Sequence, residues 1–108
     1  MATQQEVAQI FTNIADNFDP NRLDGVNATI QFDLSGENGG LYWVKMADGT
    51  AESGEGAVTS PDMTLKAAAD DWANMVNGDL NPMQAFMTGK IKIQGDMALA
   101  MKLQALIG

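Results

Sequence analysis

The sequence predicts an α+β fold in which helices cover one face of a sheet whose other face is wet. Three observations predict it. Apolar spacing switches between a helical period and strict alternation several times along the chain. Switches fall at stop and start signals such as Asp19-Pro20, Gly89 and Gly95-Asp96. The alternating stretches at 26–34, 63–67 and 90–94 are apolar on one parity only, the mark of strands packed on one side. With 108 residues and 45% hydrophobic content, the chain suits one domain, residues 1–108, with one core.

Thr3 and Glu6 form a capping-box pattern, so a helix starts there. Val7, Ile10, Phe11, Ile14 and Phe18 then recur at three- and four-residue steps until Asp19-Pro20 stops it. From residue 26 to 34 the period is two, with Val26, Ala28, Ile30, Phe32 and Leu34 on one side and Asn27, Thr29, Gln31 and Asp33 on the wet side. Residues 41–47 give a second strand, closed by the hairpin signal Asp48-Gly49. That signal implies a third strand over the glycine-rich residues 50–56, and so an antiparallel meander. Met63, Leu65 and Ala67 alternate with Thr64 and Lys66 in a fourth. Asp70 and Asp71 suit the first turn of a helix that shares Trp72, Met75 and Val76 on one face and ends at Gly78. Asn81-Pro82 is a cap followed by proline at the first helical position, and Gly89 ends that short helix. Residues 90–94 alternate as a last strand, and Gly95-Asp96 opens a final helix over residues 97–107.

The composition excludes several function classes. Fourteen acidic against six basic residues give a net charge of −8, which repels a phosphate backbone, so no nucleic-acid partner is expected. There is no His and no Cys, which removes a Ser-His-Asp triad, an imidazole base, His-ligated zinc, disulfides and a thiolate nucleophile. The glycines match neither a phosphate loop nor a dinucleotide fingerprint. Asp48, Glu52 and Glu55 lack the ligand spacing of a calcium loop. The expectation is a non-enzyme without cofactor or metal. No stretch reaches the roughly 18 apolar residues of a membrane span, and the polar N-terminus lacks the apolar core of a signal peptide, so a soluble, cytoplasmic protein is expected.

The last helix points to a ligand. Within residues 97–107 only Lys102 and Gln104 are polar, and a helix apolar almost all round needs cover on most of its circumference. That cover comes from the core itself, from a partner chain, or from a bound apolar molecule. Six of eight methionines, Met63, Met75, Met83, Met87, Met97 and Met101, fall in the second half, where flexible side chains suit either core filling or an adaptable apolar surface.

Residues 78–106, GDLNPMQAFMTGKIKIQGDMALAMKLQAL, closely resemble the sterol carrier protein type 2 family. The Asn81-Pro82 cap, Ala85-Phe86, the strand entry TGKIKI at 88–93, Gly95 and the helix segment AMKLQ at 100–104 come in the family's order and spacing. The N-terminal helix, the strand at 30–34, the aromatic-led strand at 42–46 and Pro61-Asp62 agree upstream. The resemblance implies a five-stranded, largely antiparallel sheet covered on one face by helices, with a hydrophobic tunnel between the layers. It implies an intracellular carrier that binds and transfers a fatty acid, fatty acyl-CoA or sterol, working as a monomer. Two features depart from it: the chain ends Leu106-Ile107-Gly108 rather than in an S-K-L-type peroxisomal tripeptide, and it is acidic where vertebrate carriers are basic. At most transient membrane contact is therefore expected.

Alternation places Ile30, Phe32, Tyr42, Val44, Met46, Met63, Leu65, Ile91 and Ile93 on the inner face of the sheet, with Trp43 and Lys45 outward. On the helix side the tunnel lining is expected to be Phe11, Trp72, Met75, Val76, Phe86, Met87, Met97, Met101 and Leu106, completing a set that takes Phe32, Tyr42, Val44 and Ile93 from the sheet. Gln104 lies at helical spacing from Met97, Ala100 and Met101 and is the expected contact for the ligand's polar head. The alternative is an interaction module or homodimer whose apolar last helix docks on a partner.

Overall fold

The structure is a computed structural model that describes residues 3–18 and 27–107, with side chains described as far as Lys102. Element order is α1 (Gln4–Asp16), β1 (Ala28–Ser35), β2 (Gly40–Ala47), β3 (Thr50–Glu55), β4 (Met63–Ala68), α2 (Ala69–Asn77), α3 (Pro82–Met87), β5 (Ile91–Gly95) and α4 (Met97–Ile107). The expected helix stop at Asp19-Pro20 and strand residue Val26 lie outside the described residues.

Local chemistry sets each boundary. Thr3 Oγ1 accepts from the Glu6 amide at 3.1 Å and its hydroxyl lies 3.3 Å from Glu6 Oε1, satisfying one of the orphan donors at the start of α1. Asp48 and Gly49 both have positive φ, 55° and 77°, as the two-residue hairpin between β2 and β3 requires. Asn81 Oδ1 accepts from the Met83 and Gln84 amides to start α3, and Asp96 Oδ1 accepts from Ala98 and Leu99 to start α4.

The five strands form one mixed sheet in the order β3-β2-β1-β4-β5. All neighbouring pairs are antiparallel except β1 and β4, which run parallel with Phe32 opposite Leu65. Reaching β4 from β3 means skipping two strands, and the chain does so across the sheet's outward side. The Gly56 amide bonds to Leu41 O on β2, and the Asp62 amide bonds to Thr29 O on β1, both at 2.8 Å.

That crossover corrects one expectation. Gln31 points away from the helices, as alternation requires, yet it is only 6% exposed. Its Nε2 donates to Tyr42 O and Gly56 O, and its Oε1 accepts from the Val58 amide at 2.7 Å. The residue read as wet is a clamp that holds the crossover against the sheet.

On the other face, α1 lies over β3 and β2, α2 over β1 and β4, and α4 over β4 and β5. Ile30, Phe32, Tyr42, Val44, Met46, Met63, Leu65 and Ile91 are buried beneath them and Ile93 is half-buried. The parity assigned from alternation is the one observed; Trp43 stays half-exposed on the opposite face. At the centre, the Phe11 ring stacks on Tyr42 and on Trp72, with centroids 4.5 and 5.7 Å away, while Phe32 tilts against Phe11 and Trp72. Such ring pairs add about 0.5–1.5 kcal/mol each beyond burial. The Trp72 indole N–H is buried without a partner among the described residues.

Candidate functional site

Among the described residues, the large apolar side chains that the core leaves exposed gather at one end of the sheet, Leu41 on β2 apart. Met83, Phe86, Met87, Met97 and Met101 are 63, 41, 79, 50 and 82% exposed. They belong to α3 and α4, the two short helices that flank β5 in sequence. Between them runs an open groove of about 140 Å3, lined by Pro82, Met83, Phe86, Ile91, Ile93, Met97, Ala100 and Met101. Among the described residues no charged side chain lines it.

The backbone at both ends of β5 shapes this groove. At the α3 end, the Lys90 amide bonds back to Ala85 O at 2.9 Å and Thr88 Oγ1 donates to Gln84 O, folding the strand entry under the helix so that Ile91 and Ile93 face it. At the α4 end, Gly95 has φ 101°, and a Cβ there would lie 2.5 Å from Asp62 O. Only glycine allows β5 to pass that close to the start of β4. The Asp96 amide then bonds to Asp62 O at 2.9 Å. With α4 held this way, Leu99 is buried in the core and Met97 and Met101 remain on the groove.

The expected lining residues divide into two groups. Phe86, Ile93, Met97 and Met101 line the groove. Phe11, Phe32, Tyr42, Val44, Trp72 and Met75 are buried in contact with one another, and Val76 packs half-buried against them. Stacked rings pack the space between these buried residues, and among the described residues the apolar groove lies at the β5 end. Met87 is exposed outside the groove. The side chains of Gln104 and Leu106 lie outside the described residues. Pro82, Met83, Ile91 and Ala100 also line the groove, although none was among the expected lining residues. Ile91 and Met83 carried a signal, the first by alternation and the second as one of the clustered methionines.

A volume of about 140 Å3 is close to the roughly 150 Å3 cavity that admits a benzene ring. The groove in this conformation therefore holds one part of a long ligand. Its rim is mostly methionine, whose unbranched side chains repack at low cost. Among the described residues the groove lining holds no acid, base or nucleophile, and no three carboxylates gather as a metal site.

The sequence matches the SCP-2 sterol transfer family over residues 7–108. Among solved structures, the sterol carrier protein domain 2 of Helicoverpa armigera superposes with a TM-score of 0.72 at 30% identity, covering 94% of this chain and 82% of that one. The palmitated sterol carrier protein 2 like 2 of Aedes aegypti gives 0.75 at 25% identity, covering 99% and 95%. Hydroxysteroid dehydrogenase-like protein 2 of Bos taurus is 35% identical over 102 residues, 94% of this chain and 24% of that protein. The chain thus spans about a quarter of the length of these dehydrogenase-like relatives.

Proposed function

The chain belongs to the SCP-2 sterol transfer family, and on that premise we propose that it binds a fatty acid, fatty acyl-CoA or sterol, with the ligand's apolar part entering the groove between α3, β5 and α4, and transfers it. The observation that carries this reading is the concentration of exposed methionine and phenylalanine around a groove whose described lining carries no charge. Covering that surface with an alkyl chain or sterol ring removes apolar area from water at roughly 25 cal/mol per Å2 on both partners. The Aedes aegypti relative is palmitated, which favours a fatty acyl chain among the three ligands.

A long ligand enters by displacing the Met83, Met97 and Met101 side chains and extending inward past Ile93 toward the packed rings. The work is non-covalent, with no cofactor and no catalytic group. Gln104, which follows Met97 and Met101 at helical steps on α4, is the proposed partner of the ligand's polar head. In the cell we place the carrier in the cytoplasm, acting as a monomer with transient membrane contact.

Native mass spectrometry of the purified protein, followed by titration of the delipidated form with palmitate, palmitoyl-CoA and cholesterol, tests the reading. One-to-one binding of at least one of them is expected. No binding of any of the three overturns it.

A further inference from the structure

β5 divides two chemically opposite surfaces. Ile91 and Ile93 face the apolar groove. Lys90, just before the strand, and Lys92 within it lie on the other side, in a separate cleft of about 310 Å3 that also takes in Lys66 of β4, with Ser35, Gly89 and Asp33. Three of the six basic residues of a chain with net charge −8 share this one cleft. Lys66 and Lys92 stand directly opposite each other across the β4–β5 ladder, an arrangement that disfavours folding because like charges repel. Asp33 neighbours Lys66 across the β1–β4 ladder. Among the described residues none of the three lysines forms an ion pair.

We propose that Lys66, Lys90 and Lys92 form a phosphate-binding cleft for the head group of a ligand whose alkyl chain occupies the groove, the head group being that of a coenzyme A thioester. This rests on the lipid-binding reading and narrows it. β5 is the terminal strand of the sheet, so a ligand leaving the groove has one strand to pass before reaching the cleft, and the long polyamide arm of a coenzyme A ester spans such a step. Phosphate oxygens placed between Lys66 and Lys92 relieve their repulsion and supply acceptors to ammonium groups that form no ion pair among the described residues. A free fatty acid has a single carboxylate and no arm to carry it there. The neutral groove and the cationic cleft together match an amphiphile with an apolar tail and a polyanionic head.

The test compares palmitate, palmitoyl-CoA and free coenzyme A on the delipidated protein, on Lys66→Gln/Lys92→Gln and on Lys90→Gln, with Lys45→Gln on the outward side of β2 as control. Palmitoyl-CoA affinity is expected to fall about tenfold in the double variant and to lose most of its salt dependence, while palmitate affinity stays unchanged. Thermal stability of the double variant should equal or exceed that of the parent, since a repulsion has been removed. Free coenzyme A should bind weakly and lose that binding in the same variants. Palmitate binding with unaltered palmitoyl-CoA affinity in both cleft variants would overturn the cleft and leave the lipid reading standing. Failure of the parent to bind either acyl ligand would sink both. Reduced attachment to anionic vesicles with unaltered palmitoyl-CoA binding would assign the lysines to a membrane surface and also overturn the proposal.

Discussion

The ring of Phe11 on α1 lies parallel to that of Tyr42 on β2, with centroids 4.5 Å apart and planes 11° from each other. Burial under that ring, and secondarily the charge of Glu55 opposite on β3, hold the Tyr42 phenol above its ordinary value of 10.0, because both disfavour the phenolate.

The sign of the linkage follows. The folded protein keeps the proton where the unfolded chain loses it, so the stabilisation is present below pH 10 and is lost as pH rises through the folded value. Tyr42 is the only tyrosine, so tyrosinate absorbance reports it alone. An alkaline titration of the native protein should show a midpoint above 10, with unfolding free energy falling in the same range. Phe11→Ala should destabilise by about 3–5 kcal/mol and bring the midpoint back toward 10. A native midpoint at or below 10 would contradict the burial.

Gln31→Leu should destabilise by about 1–3 kcal/mol. The substitution leaves the Val58 amide without its acceptor and removes the donor to Tyr42 O and Gly56 O. Gln94→Leu, at an exposed site on β5, should stay within about 0.5 kcal/mol of the parent. Denaturant unfolding of the two variants decides it, and equal midpoints would show that the crossover does not depend on Gln31.

Met101→Asp should leave stability within about 0.5 kcal/mol of the parent, since the residue is 82% exposed. It should weaken palmitate binding roughly tenfold, because the ligand would cover a carboxylate that now sits in water. Thr12→Asp, on the exposed side of α1, serves as the control for added charge. Equal losses of affinity from the two variants would move the ligand away from the α3–α4 groove.

Gln104→Leu tests the head-group assignment. Palmitate affinity should fall by about 1 kcal/mol, the value of one neutral hydrogen bond, while a hydrocarbon of equal length should bind no worse. Parallel changes in both ligands, followed by displacement of a fluorescent fatty acid, would remove Gln104 from the head-group role.

Much of this protein was determined by neighbours in sequence. The Thr3, Asn81 and Asp96 caps, the Asp48-Gly49 hairpin and the inward parity of Phe32, Tyr42 and Leu65 depend on residues within a few positions of one another. A hydroxyl or carboxylate reaches an amide two or three residues on, and alternation fixes a side of the sheet. The family resemblance was likewise carried by a local run, residues 78–106, and it brought the five-stranded sheet with it.

Tertiary structure decided what depends on pairs far apart in the chain. Ile30 meets Met63 only because the crossover lays β4 parallel to β1, and the same crossover buries Gln31, whose alternation pattern is that of a wet residue. Apolar spacing likewise could not separate Trp72 and Met75, which fill the core, from Met97 and Met101, which border the groove. All four are apolar residues on helices, and whether such a side chain meets another or meets open space is set by which element lies across from it. The pairing of Lys66 with Lys92 has the same origin: each is an outward residue of its own strand, and only the β4–β5 register brings the two charges face to face.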